Sequence, residues 1–119
     1  MAPVDWSSLK TKAEWRKELV ALLCRSDYAC IRALHRVWDL QSDAEKLSGQ
    51  ALQVDDVGFN KVDFQKAKAF IDKDMRGSLD RDDIRRLRAM MIKYWRQLME
   101  LSKLKLSRES AQYQERLDI

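Results

Sequence analysis

Residues 72–83 read DKDMRGSLDRDD, and four of their acids are spaced to act together. Asp72, Asp74, Asp80 and Asp83 take the first, third, ninth and twelfth places, with Gly77 at the sixth and Ser78 at the seventh. A calcium loop asks for carboxylates at the first, third, fifth and twelfth places, a carbonyl from the seventh and a glycine at the sixth for the sharp turn. Here Arg76 occupies the fifth place, where a fixed cation repels a divalent ion and removes a ligand, and Asp83 is one methylene shorter than the usual bidentate glutamate. The same residues also serve as helix punctuation. Gly77 suits the left-handed residue that ends a helix, Asp80 the cap that opens the next, and Asp82 and Asp83 put negative charge where the helix dipole favours it. The stretch therefore reads mainly as a stop and a start, with a weak calcium site at Asp72, Asp74, Asp80 and Asp83 as the lesser reading.

Other reactive chemistry is sparse. His35 is the only histidine, and it falls just off the apolar stripe of its predicted helix, with no acid or nucleophile near it in sequence. It reads as an edge histidine hydrogen-bonded to a neighbour. Cys24 and Cys30 stand six apart with no second pair, too few ligands for zinc or a disulfide framework, so reduced thiols and a cytoplasmic location are expected. Glycine-rich phosphate loops, Ser/His/Asp sets and Cys/His pairs on one face are absent, and of the neighbours Asp55 and Asp56 at most one points inward. The expectation is a protein that is not an enzyme and carries no cofactor.

The remaining chemistry is positive charge. Residues 1–60 hold 8 Lys/Arg against 9 Asp/Glu, whereas residues 61–119 hold 15 against 10, so the net +4 resides in the second half. At about 100° per residue, Arg85, Arg86, Lys93, Arg96 and Lys103 fall on one side of the last predicted helix, and Ile92, Trp95 and Met99 lie between that side and its apolar seam. Cations beside a tryptophan suit a phosphate backbone with a base stacked on the ring. The same pattern also describes a core tryptophan bordered by snorkelling cations.

The elements that must position these groups are helical. With three glycines and one proline in 119 residues, the chain lacks the turn chemistry of a multistranded sheet, and its length suits one core. Thr11 and Glu14 have capping-box spacing for a helix over 12–25, with Trp15, Leu19, Leu22 and Leu23 on one face; Ser26 caps a second over about 27–41. The SDAE run at 42–45 repeats the box, and residues 49–58 form the longest loop. Two later starts share one construction, Phe59-Asn60-x-x-Asp63-Phe64 and Leu79-Asp80-x-x-Asp83-Ile84, each a cap with a hydrophobic staple. They open a helix over 61–75, with Phe64, Ala67, Ile71 and Met75 inward, and a continuous last helix whose seam is Ile84, Leu87, Met91, Tyr94, Leu98 and Leu101. Residues 106–119 either extend that helix or end as a polar tail, and residues 1–10 form an N-terminal arm. The longest apolar run, LVALLC, is too short to span a bilayer, and no signal peptide opens the chain. The expected fold is all-α: residues 1–119 as a single-domain bundle of four main helices with a long C-terminal helix.

Two family resemblances accompany this reading. Residues 64–91, FQKAKAFIDKDMRGSLDRDDIRRLRAMM, resemble a degenerate EF-hand, which implies a calcium-responsive switch. Residues 57–98, through Val57, Gly58, Phe59, Asn60, Asp63, Gly77, Leu79, Arg85, Lys93, Tyr94, Trp95 and Leu98, resemble a helical segment of phage and mobile-element proteins of DNA metabolism. That resemblance implies an accessory role without a catalytic motif. The expectation that follows is a nucleic-acid-associated module gripping DNA or RNA backbone, independent of sequence, through Arg85, Arg86, Lys93, Arg96 and Lys103. The alternative is an adaptor or inhibitor that binds a larger protein complex, or a second copy as a homodimer, through Ile92, Trp95 and Met99.

Overall fold

The computed structural model describes residues 5–41 and 58–117, the last nine of these as backbone alone. Five α-helices and a short 3₁₀ turn account for most of the described residues, which contain no strand. The helices are α1 (Lys12–Arg25), α2 (Asp27–Trp38), α3 (Lys61–Met75), α4 (Arg81–Ile92) and α5 (Trp95–Leu117). The all-helical expectation holds. Among the described residues no helix is long and apolar enough to cross a membrane.

Local chemistry sets each boundary. Thr11 Oγ1 accepts from the Glu14 N–H at 3.1 Å and opens α1, while the Glu14 carboxylate takes the Lys10 N–H at 3.2 Å. Ser26 closes α1 and opens α2 at once: its N–H donates to the Leu22 carbonyl at 3.1 Å and its hydroxyl accepts from the Ala29 N–H at 3.1 Å. One extended residue thus makes the whole corner. α2 stops at Trp38, three residues short of expectation, and a tight turn then carries Gln41 inward to 4% exposure. The second capping box at 42–45 and the loop at 49–57 lie outside the described residues.

α3 and α4 start as the shared construction predicts. Asn60 Oδ1 accepts from the Asp63 N–H at 2.8 Å, and Asp80 Oδ1 accepts from the Asp83 N–H at 2.8 Å. Between them Gly77 adopts φ +66°, and the Ser78 N–H reaches back to the Lys73 carbonyl at 2.9 Å, a Schellman stop. Met75, expected inward, is 77% exposed on the last turn before that stop, and Phe70 takes its place in the core at 8%.

The continuous last helix is the main correction. The chain tightens after Ile92, where the N–H groups of Lys93 and Tyr94 bond the carbonyls three residues back, Met90 and Met91, at 3.2 and 3.0 Å. Two helices replace the single rod, with the interruption beside a buried Tyr94 that is held by hydrogen bonds to other elements. The apolar seam survives the interruption: Leu87, Met91, Tyr94 and Leu98 are all buried.

One core joins all five helices. α2 packs against α3, α4 and α5, and α1 lies along α4 and α5. Trp38 tilts over Phe64 at 5.0 Å between ring centres, and Phe59 meets Tyr94 edge to face at 4.9 Å. Arg88 of α4 secures the α1–α2 corner, donating to the Leu23 carbonyl at 2.6 Å and to the Asp27 carboxylate. The Cys30 thiol donates to the same carbonyl at 3.2 Å, and burial pushes its pKa up.

Candidate functional site

The five cations expected on one face are divided. Arg85 pairs with Asp82 at 2.5 Å on the open surface, a contact of little energetic weight. Arg96 lies over the Trp95 ring at 5.5 Å and Lys103 over the Trp15 ring at 6.0 Å, both on the side where α5 meets α1. Arg86 and Lys93 come together in a groove of about 540 Å³ between α3 and α4, while Arg96 and Lys103 line a separate depression of about 650 Å³ with Lys12. The interruption after Ile92 and the different neighbours of α4 and α5 are the physical reason.

The apolar strip is likewise reassigned. Met99 is 2% exposed and belongs to the core, while Ile92 and Trp95 are partly buried against it. Trp95 is flanked by a second guanidinium, that of Arg16 at 5.8 Å.

Of the four acids spaced for calcium, Asp74, Asp80 and Asp83 have other partners. Asp74 Oδ2 meets His35 Nε2 at 2.6 Å, which ties the end of α3 to α2 and supplies the acid that sequence proximity did not reveal. Asp80 caps α4, and Asp83 accepts from the Asp80 N–H at 3.1 Å, Lys73 at 2.9 Å and Arg86 at 2.7 Å. Among the described residues no three His, Cys, Asp or Glu side chains are placed to hold a metal ion.

The α3–α4 groove is built as a matched pair. On α3 it is lined by Asp63, Lys66, Ala69, Phe70 and Lys73; on α4 by Asp83, Arg86, Ala89, Met90 and Lys93. Each member of the second set stands 20 residues after its counterpart. Lys93 Nζ donates to Asp63 Oδ2 at 2.9 Å, and Lys73 Nζ donates to Asp83 Oδ1 at 2.9 Å. The start of each helix therefore meets the end of the other, so α3 and α4 run antiparallel and are related by an approximate two-fold axis through the groove.

Both carboxylates are 1% exposed, and both have a lowered pKa. Burial alone pushes Asp63 up, but hydrogen bonds from Lys93 and Tyr94 and the charges of Lys93 and Lys66 outweigh it and leave the carboxyl below its usual range. Asp83 is held down to about 2, first by the Lys73 hydrogen bond and then by the Asp80 N–H, against burial. The Tyr94 hydroxyl donates to Asp63 at 2.8 Å and accepts from the Asn60 N–H at 3.1 Å; burial and the Asp63 charge raise its pKa. Four cations against two carboxylates leave the groove with a net charge of +2.

Lys66, Lys73 and Asp63 lie outside the site residues expected from the sequence, and Asp83, expected as a calcium ligand, pairs with Lys73 and Arg86 instead, because helical-face reasoning treats one helix at a time. The signal for them in the sequence is the 20-residue offset, which extends beyond the shared helix starts to every lining position. Compared with known protein families, curated proteins and solved structures, the chain has no match.

Proposed function

We propose that this is a non-enzymatic, nucleic-acid-associated accessory module, of the kind phage and mobile elements carry, that holds phosphate backbone in the α3–α4 groove. The carboxylate pairing of Arg86 and Lys93 removes the open basic helix face expected from the sequence, and the observation that carries the reading is instead the net +2 that the groove keeps with its cations exposed. Lys73, Arg86 and Lys93 are held at defined points by Asp63 and Asp83 while keeping substantial exposure, 38%, 60% and 58% respectively. Such cations lose less side-chain freedom on meeting a phosphate than unrestrained ones do. The floor of Ala69, Phe70, Ala89 and Met90 offers no side-chain hydrogen-bond donor or acceptor to a base edge, in keeping with binding independent of sequence.

Titration of a labelled oligonucleotide between 50 and 200 mM salt tests the reading. Two to four phosphate contacts give a log–log slope of roughly −2 to −4. Absence of binding, or a slope near zero, removes it.

A second reading, a protein-binding adaptor, has its own observation. A mostly apolar depression of about 480 Å³ lies between α1, α2 and α5, with Leu19, Leu22, Leu98, Leu101 and Leu106 among its lining and Tyr28, 69% exposed, at its edge. Replacing Leu22 by Asp separates the two readings, because it alters that depression and leaves the α3–α4 groove intact.

A further inference from the structure

We infer that the α3–α4 groove takes a duplex, spanning its two antiparallel strands, with Lys66 and Lys93 on one strand and Lys73 and Arg86 on the other. This rests on the phosphate-binding reading above and adds the class of nucleic acid.

The argument is one of symmetry. Each end of the groove holds two cations and one buried carboxylate: Lys66, Lys93 and Asp63 at one end, Arg86, Lys73 and Asp83 at the other. Both ends carry a net +1, and the approximate two-fold axis turns one into the other. A single strand has a direction, so successive phosphates approach such a groove in the same sense and fit one end better than the other. The strands of a duplex run oppositely and are related by local two-fold axes, so each offers its phosphates to one end in an equivalent orientation.

Length agrees. Lys66 and Lys73, like Arg86 and Lys93, are seven residues apart, a rise of ~10 Å, which is of the order of the ~12 Å width of a B-form major groove. The middle of the groove, Ala69, Phe70, Ala89 and Met90, carries no charge and lies over the space between the strands.

The test compares a 16-base-pair duplex with each of its separated strands at equal salt, using the full chain and the Lys66→Ala and Arg86→Ala variants. The duplex is expected to bind at least ~10-fold more tightly than either strand, and each variant to lower the duplex salt slope by ~1. Lys66 influences Asp63 through charge alone, so its variant keeps the fold's hydrogen bonds, and a melting curve verifies Arg86→Ala. A single strand that binds as well as the duplex with a steep salt slope overturns this inference and leaves the phosphate-binding reading standing. A variant that leaves the duplex salt slope unchanged also overturns it, and failure of every oligonucleotide to bind removes both.

Discussion

Lys93 meets Asp63 at 2.9 Å across the open end of the α3–α4 hairpin, and the same contact recurs between Lys73 and Asp83 at the other end. Asp63 is a buried anion whose remaining side-chain donor is Tyr94. Removing one partner of a buried charged hydrogen bond exposes the desolvation cost of the group left behind. Lys93→Met is therefore expected to destabilise the protein by ~1–3 kcal/mol, the lower part of that range reflecting the lysine's exposure. Urea denaturation of Lys93→Met, Asp63→Asn and the double variant measures it. The double variant should be less destabilised than the sum of the two, and strict additivity would show that the pair contributes no coupling.

Asp83 gives the pH dependence. Its folded-state value of about 2 lies below the ~3.9 of an unfolded aspartate, so the folded protein binds this proton less readily than the unfolded chain does. Its contribution is present above pH ~4 and is lost as the pH falls toward 2. Melting temperatures recorded from pH 6 to pH 2 should fall steeply below pH 4 in the native protein and less steeply in Asp83→Asn. Equal slopes would mean that the Lys73 and Arg86 contacts do not hold the carboxylate charged.

How much of this was legible in the sequence depended on the range of the interaction. Caps, stops and stripes are local, and Thr11, Ser26, Asn60, Gly77 and Asp80 each act where the residues around them predict. The end of the long helix was not legible, because Lys93 and Tyr94 are acceptable helix residues and their interruption accompanies partners 30 or more positions away, Asp63 and Asn60. The division of the cations follows from the same cause. Arg86 and Lys93 face α3, whereas Arg96 and Lys103 face α1, and no single helical projection contains that distinction.

Gly58 makes a sharper demand on its residue type than Gly77 does. Both have positive φ, +82° and +66°, but a Cβ at Gly58 would fall 2.1 Å from Gln41 Oε1, whereas a Cβ at Gly77 would meet nothing within 4 Å. Gly58 is also bracketed by Gln97, which accepts its N–H at 2.8 Å and donates to its carbonyl at 2.9 Å, so the backbone cannot shift freely to relieve the clash. Gly77→Ala should cost ~1–2 kcal/mol, the left-handed penalty alone. Gly58→Ala should cost more, in the region of ~2–4 kcal/mol, because it adds strain and displaces Gln41 Oε1, which accepts from the Phe59 N–H. Chemical denaturation of both ranks them, and equal losses would remove the role assigned to Gln41.

Trp95 offers the clearest separation between the groove and the helix face first expected. Were a base stacked on its ring, losing the ring would cost ~1–3 kcal/mol of binding, about five- to 150-fold in affinity. The ring is already flanked by the guanidinium groups of Arg16 and Arg96, at 5.8 and 5.5 Å, and a base would have to displace one of them in exchange for a contact of similar kind. The residue lies toward α1, outside the lining of the α3–α4 groove. Trp95→Leu, which keeps apolar volume against the core, is therefore expected to leave oligonucleotide affinity within ~2-fold and the salt slope unchanged, while Lys66→Ala lowers that slope by ~1. A large loss of affinity in Trp95→Leu, with the slope preserved and the fold intact by circular dichroism, would instead put the nucleic acid on the α1–α5 side.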